Sequence, residues 1–266
     1  MAKKSVLYKY LLGIFLIGSA LFSSNAQAKL SSDNTINFGA HNESTMGRKS
    51  NGYGYIFESR NKTNVGNYIL ALDIEAFKKT LYVQNGQSTR VGKDDVDRTN
   101  LDFMVGYGNK GFSIMAGPYT TSTNANLSQD IVAISHKTNA SGMKAKVSYK
   151  GFELYNSMAN GDSTDNVEIN LPAPLEKVVL NSGNGLKETR TGIEKNFVFG
   201  PLSIRPKIEQ IVEQGSAEKT ELKYSLGEKL DFGNLSLSFI QEIYKGQSED
   251  NLYDAFFLGG GISLKW

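Results

Sequence analysis

Basic side chains recur at alternate positions along neighbouring segments: Lys144, Lys146, Lys150 and Arg190, then Arg205, Lys207, Lys219 and Lys223. Glu153, Glu194, Glu209 and Glu221 share those segments. A second group holds Glu58, Asp73, Glu75, Asp102 and Glu242, against Arg60, Arg98 and Lys265. Every second residue of an extended chain points the same way. If these faces enclose a lumen, a basic wall opposes an acidic one, and rows of Lys and Arg favour anions. The competing outcome is that Lys and Glu pair across neighbouring strands and fill the space with ion pairs.

Other chemistry is thin. His41 and His136 are the only imidazoles. Ser135 is adjacent to His136 and so points to the opposite face, while Ser44 follows His41 without a nucleophile motif. Each histidine is read as a satisfied or solvated surface residue, and no enzyme activity is expected. Asp94, Asp95 and Asp97 lack the spacing of a calcium loop and read as a solvated charge run. Gly259-Gly260-Gly261 lacks the strand-to-helix setting of a phosphate loop and fits close backbone approach. No metal or cofactor is expected.

The elements that must carry these residues alternate with period two in segments of about ten residues, the mark of strands. Twelve are expected, near 34–43, 52–60, 66–76, 97–107, 111–120, 129–138, 142–158, 188–198, 202–213, 218–228, 234–244 and 252–266. The faces of 129–138 cannot be assigned. The phase of 142–158 changes at Gly151, which reads as a β-bulge; a tight hairpin there is the alternative. Pro206 weakens its strand, because proline cannot donate to the ladder. Short connections follow the even-numbered strands: Asn61–Val65, Gly108–Lys110, Asn139–Ser141, Phe199–Pro201 and Lys229–Gly233. Longer ones follow odd-numbered strands, notably Phe77–Val96 and Ala159–Lys187, although Ser44–Asn51 and Gln214–Ala217 are short. This asymmetry suits an up-and-down transmembrane β-barrel with an even strand number.

The chain's first residues read as a cleaved secretory signal. Lys3, Lys4 and Lys9 precede the apolar run 11–18, and Ala26-Gln27-Ala28 offers a cleavage site. Cleavage would leave a barrel domain of residues 29–266 and take the formal net charge from +2 to −1, which argues against nucleic-acid binding. The absence of cysteine excludes disulfides, thiolate metal sites and lipoprotein acylation. The last strand sets Phe256, Leu258, Ile262, Leu264 and Trp266 on one face, with Ala255, Phe257, Ser263 and Lys265 on the other. In that ending the chain resembles Gram-negative outer-membrane barrel proteins. The resemblance implies recognition of these residues by the barrel-assembly machinery and insertion into outer-membrane lipid. Twelve strands with basic inward tracks are also similar to small monomeric porins that pass acidic oligosaccharides, with no diagnostic motif shared.

The expectation is therefore a monomeric outer-membrane porin passing small hydrophilic, preferentially anionic, solutes. The alternatives are a non-conducting surface barrel acting as adhesin or receptor through long external loops, and a barrel hydrolase using His41 or His136.

Overall fold

The computed structural model describes residues 29–265 apart from 46–47, 86–88, 130–131, 171–177, 216–217 and 249–250. The expected signal segment 1–28 and Trp266 lie outside the described residues. The strands are β1 (Lys29–Thr45), β2 (Arg48–Val65), β3 (Tyr68–Asn85), β4 (Thr89–Asn109), β5 (Phe112–Gln129) and β6 (Val132–Tyr149). They continue as β7 (Phe152–Ile169), β8 (Val178–Lys195), β9 (Phe197–Phe199), β10 (Leu202–Gln214), β11 (Glu218–Phe232), β12 (Leu235–Ser248) and β13 (Asn251–Lys265). Each pairs antiparallel with its neighbours, and β13 closes on β1 from Asp33↔Lys265 to Thr45↔Tyr253. The result is a closed twelve-stranded barrel, with the short β9 carrying on the line of β8.

Five tight turns lie at the end of the barrel where Lys29 and Lys265 stand. Gly66, Gly111, Gly151, Gly200 and Gly233 have φ between 60° and 85° there. Lys110-Gly111 and Lys150-Gly151 place two successive residues at positive φ, the turn that matches the twist of a two-residue hairpin. Gly151 is thus a hairpin and not a bulge. The expected turn at Asn139–Ser141 lies inside β6, which pairs continuously with both neighbours. Two errors cancel, and the strand count stays at twelve.

The long loops expected at Phe77–Val96 and Ala159–Lys187 are mostly strand. β3 runs to Asn85 and β4 begins at Thr89; β7 runs to Ile169 and β8 begins at Val178. Outward-facing Tyr68, Leu70, Leu72, Ile74 and Ala76 give β3 an apolar stretch of the length a membrane strand needs. Lys78 and Asp97 then pair at 3.4 Å on the same outer surface. Beyond the apolar belt the wall therefore continues as a polar collar. At the turn end the belt finishes in aromatic side chains, including Tyr68, Tyr107, Phe112, Tyr149, Phe152 and Phe232, all exposed. Such a girdle marks a membrane interface.

Pro206 interrupts one ladder. β10 pairs with β8 from Lys207↔Glu194 and with β9 from Ile204↔Phe197, leaving Asn196 outside both. The Asn196 amide donates instead to Gly151 O at 3.0 Å. A proline without an N–H thus falls where the ladder has already parted.

The belt also holds one polar island. Ser32 donates to Asn61 Oδ1 (2.6 Å), and Asn61 Nδ2 donates to Ser59 Oγ (2.8 Å). Ser59 donates to Asn34 Oδ1 (2.6 Å), and Asn34 Nδ2 donates back to Ser32 Oγ (2.8 Å). The four outward-facing side chains of β1 and β2 close a ring, so no member need draw on water that lipid cannot supply.

Candidate functional site

The lumen is filled from its own walls. Three apolar clusters occupy parts of it: Ile69, Ala71, Met104 and Met115; Tyr119, Ala140, Ala159 and Leu186; and Ile56, Ile240 and Phe257. Between them lies a layer of charge. β2 and β8 stand six strands apart in the ring of twelve, so they face each other across the barrel. Arg60 on β2 nevertheless donates to both oxygens of Glu194 on β8, at 2.7 and 3.2 Å. Glu58 accepts from Arg205 on β10 at 2.6 Å. Lys223 on β11 reaches Glu242 at 2.8 Å and Glu75 on β3 at 3.4 Å. Lys146 on β6 lies 3.2 Å from Asp73 and 3.1 Å from Glu153, while Lys144 pairs with Asp102.

Cationic and anionic side chains of facing strands therefore reach across to each other. The layer divides the lumen. Toward the collar is a cavity of about 440 Å³, whose lining includes His41, Phe77, Arg98, Lys219 and Tyr244. Toward the turns are two cavities of about 350 and 500 Å³. The central chamber between them, lined by Glu58, Arg60, Asp102, Lys144 and Glu209 among others, has about 60 Å³. That is room for water and small ions.

Most of the expected lining residues meet in this space. Lys144, Lys146, Arg190, Arg205, Lys207, Lys219 and Lys223 line one of the cavities, as do Glu58, Asp73 and Glu75. Asp102 lines the central chamber, and Glu242 is buried at 2 % exposure against Lys223. Lys150 does not join them. It sits in the β6–β7 turn with φ +46°, its ammonium 5.2 Å from the Tyr149 ring centroid, because the chain reverses where a continuing strand was expected. On β13, Leu258, Ile262 and Leu264 are exposed on the outer wall as expected, and Phe256 shares their face.

Several contributors went unnoticed in the sequence. Glu188, 2 % exposed, accepts from Arg98 (2.9 Å), Arg190 (2.6 Å) and the Tyr119 hydroxyl (2.8 Å). Tyr155 donates to Glu209 at 2.7 Å, with the Lys144 ammonium 4.7 Å from its ring centroid. Its ring lies over Gly192, where a Cβ would come within 2.3 Å of it. Gly192 is the cross-strand partner of Tyr155; alternation alone does not reveal it, because a register shifted by two residues keeps the same charges inward.

One histidine departs from expectation. His41 is no surface residue. It is 1 % exposed, with the rings of Phe77, Tyr244 and Phe257 at 6.1–6.3 Å. Its Nε2 stands 3.7 Å from Glu43, outside hydrogen-bond reach. His136 lines the collar cavity and pairs through Nδ1 with Asp165 at 2.5 Å. Asp94, Asp95 and Asp97 belong to β4 and not to a loop. Asp95 and Asp97 are held by Lys93 (2.6 Å) and Lys78 (3.4 Å), while Asp94, next to Asp95 in sequence, faces the other way. Alternation thus parts the run. Gly261 lies where a Cβ would stand 1.7 Å from Ile36 O, in keeping with close backbone approach in the closing strand.

Closed strand order, apolar belt and charged interior define a transmembrane β-barrel. No family model matches the chain, and no curated protein matches it. Similar solved structures include the translocator domain of the autotransporter NalP from Neisseria meningitidis, 10 % identical over 99 % of this chain and 98 % of that one, TM-score 0.49. The Pseudomonas putida toluene transporter TodX is 8 % identical over 93 % and 91 %, TM-score 0.44. The transport unit of the autotransporter AIDA-I from Escherichia coli is 14 % identical over 96 % and 97 %, TM-score 0.42.

Proposed function

We propose that the chain is a bacterial outer-membrane channel for small hydrophilic solutes, with the ion-paired layer as its constriction. One observation supports this: cavities on both sides of the charged chamber of about 60 Å³ share lining residues with it, Glu75 and Glu209 toward the collar and Glu58 and Arg60 toward the turns. Ion pairs spanning a lumen differ from a packed apolar core, because a passing ion can exchange for either partner. The passage is narrow, so solutes the size of inorganic ions fit it better than oligosaccharides. In this proposal the protein is exported by its signal segment, inserted as a monomer by the barrel-assembly machinery, and performs no catalysis. Purified, folded protein in a planar lipid bilayer should give discrete conductance steps. Their absence from heat-modifiable material would remove the channel.

A second reading has support in the collar cavity, which lies on the far side of the ion-pair layer from the turns. In a barrel that stays closed, that cavity is a receptor pocket. Folded protein that never conducts, yet binds a surface ligand, would favour it.

A further inference from the structure

We infer that the constriction conducts cations in preference to anions, and that Asp102 is the residue on which this selectivity turns. The inference rests on the channel reading and adds the class of solute. It reverses the preference that the rows of Lys and Arg suggest.

The central chamber is lined by seven carboxylates and five cationic side chains. Pairing does not remove the surplus. Lys146 is shared between Asp73 and Glu153, and Lys223 between Glu75 and Glu242. Arg190 is paired with Glu188, a further carboxylate outside the seven, while Arg205 brings one cation to Glu58. Strand register sharpens the imbalance. Glu58 stands directly opposite Glu75, Asp73 opposite Asp102, and Glu153 opposite Glu194. Like charges at such positions repel, and a mobile cation passing between them relieves that repulsion.

A second observation is independent of the count. Asp102 is 5 % exposed and lines the chamber. Its Oδ2 accepts from Lys144, but its Oδ1 is buried without a hydrogen-bond partner. A buried carboxylate oxygen left open costs free energy unless something fills it. The chamber that Asp102 lines has about 60 Å³. One free oxygen suits an ion in transit, since a resident divalent ion requires several oxygen ligands.

The test is the reversal potential of the full barrel in a planar bilayer under a potassium chloride gradient. The wild-type protein should reverse toward the potassium equilibrium potential. Asp102→Asn, checked for folding by its heat-modifiable gel shift, should lower the potassium-to-chloride permeability ratio about two- to fivefold, the effect of one unit charge a few ångströms away. Asp162→Asn, on the outer surface of the collar, should leave the ratio unchanged. A wild-type reversal toward chloride overturns the inference and leaves the channel standing, without any variant having to fold. A ratio insensitive to folded Asp102→Asn removes Asp102 from the role. Folded wild-type protein that never conducts overturns the channel reading, and this inference with it.

Discussion

Arg60 and Glu194 meet across the whole width of the barrel, Nη1 to Oε1 at 2.7 Å, from strands six positions apart. Two side chains from facing walls touch here, so at this level the lumen is bridged by side chains alone.

Glu194→Gln should therefore raise single-channel conductance while lowering stability. Truncating one partner of a fully buried pair costs about 3–5 kcal/mol. The Arg60 side chain is 30 % exposed, so solvent screening reduces the expected loss to roughly 1–2 kcal/mol. Restoring the pair in reverse, with Arg60→Glu and Glu194→Arg together, should recover both stability and the narrow conductance. Unchanged conductance in the single variant would place the constriction elsewhere.

The ring of Ser32, Asn34, Ser59 and Asn61 predicts a reversed order of damage. Asn61→Ala breaks the circle and leaves Ser32 and Ser59 facing lipid with lost partners, at a cost of about 1–3 kcal/mol. Replacing all four with apolar residues of similar size should cost less than that single change. Urea unfolding in vesicles or detergent reads the difference, and a larger loss for the fourfold variant would show that the ring is not a unit.

Tyr155 joins packing to charge, so its two roles separate by substitution. Tyr155→Phe keeps the cover over Gly192 and loses the hydrogen bond to buried Glu209, for about 1–3 kcal/mol. Tyr155→Ala loses both, and its transition in the heat-modifiable gel shift should fall further. Equal transitions for the two variants would leave the ring without a packing role.

The collar is open to direct chemical test, because the chain contains no cysteine. A cysteine at Lys245 or Asp162 faces outward above the belt, and should react with a membrane-impermeant maleimide on the reconstituted barrel. One at Leu154, in the belt, should stay protected until detergent is added. Protection at all three positions would bring the collar down into the bilayer.

How far these features were legible depends on where lipid acts. Within the belt, lipid outside and charge inside impose opposite demands on alternate residues. The phases of Leu101–Tyr107, Leu202–Val212, Leu222–Leu226 and Phe256–Leu264 accordingly agree between sequence and structure. Above the belt both faces meet water, so Lys78, Lys79 and Asp94–Asp97 keep the ladder but lose the hydropathy pattern. That is why half of β3, β4, β7 and β8 looked like loop. The tight turn at Lys150-Gly151 was hidden differently: a two-residue hairpin flips the apparent phase just as a one-residue bulge does. Inside the lumen, alternation says which residues face inward but not how far each side chain reaches. The basic wall could be read along each strand; its embrace of the opposite wall could not.

The polar collar has a consequence for the approach of a solute. About nine residues of tilted strand above the belt lift the mouth on the order of 20 Å clear of the apolar slab. The field of charged headgroups fades within a Debye length, about 8 Å at physiological salt. A charged solute arriving at this mouth therefore encounters the potential of the protein before that of the membrane, and exchanging neutral for anionic lipid should leave its rate of entry nearly unchanged.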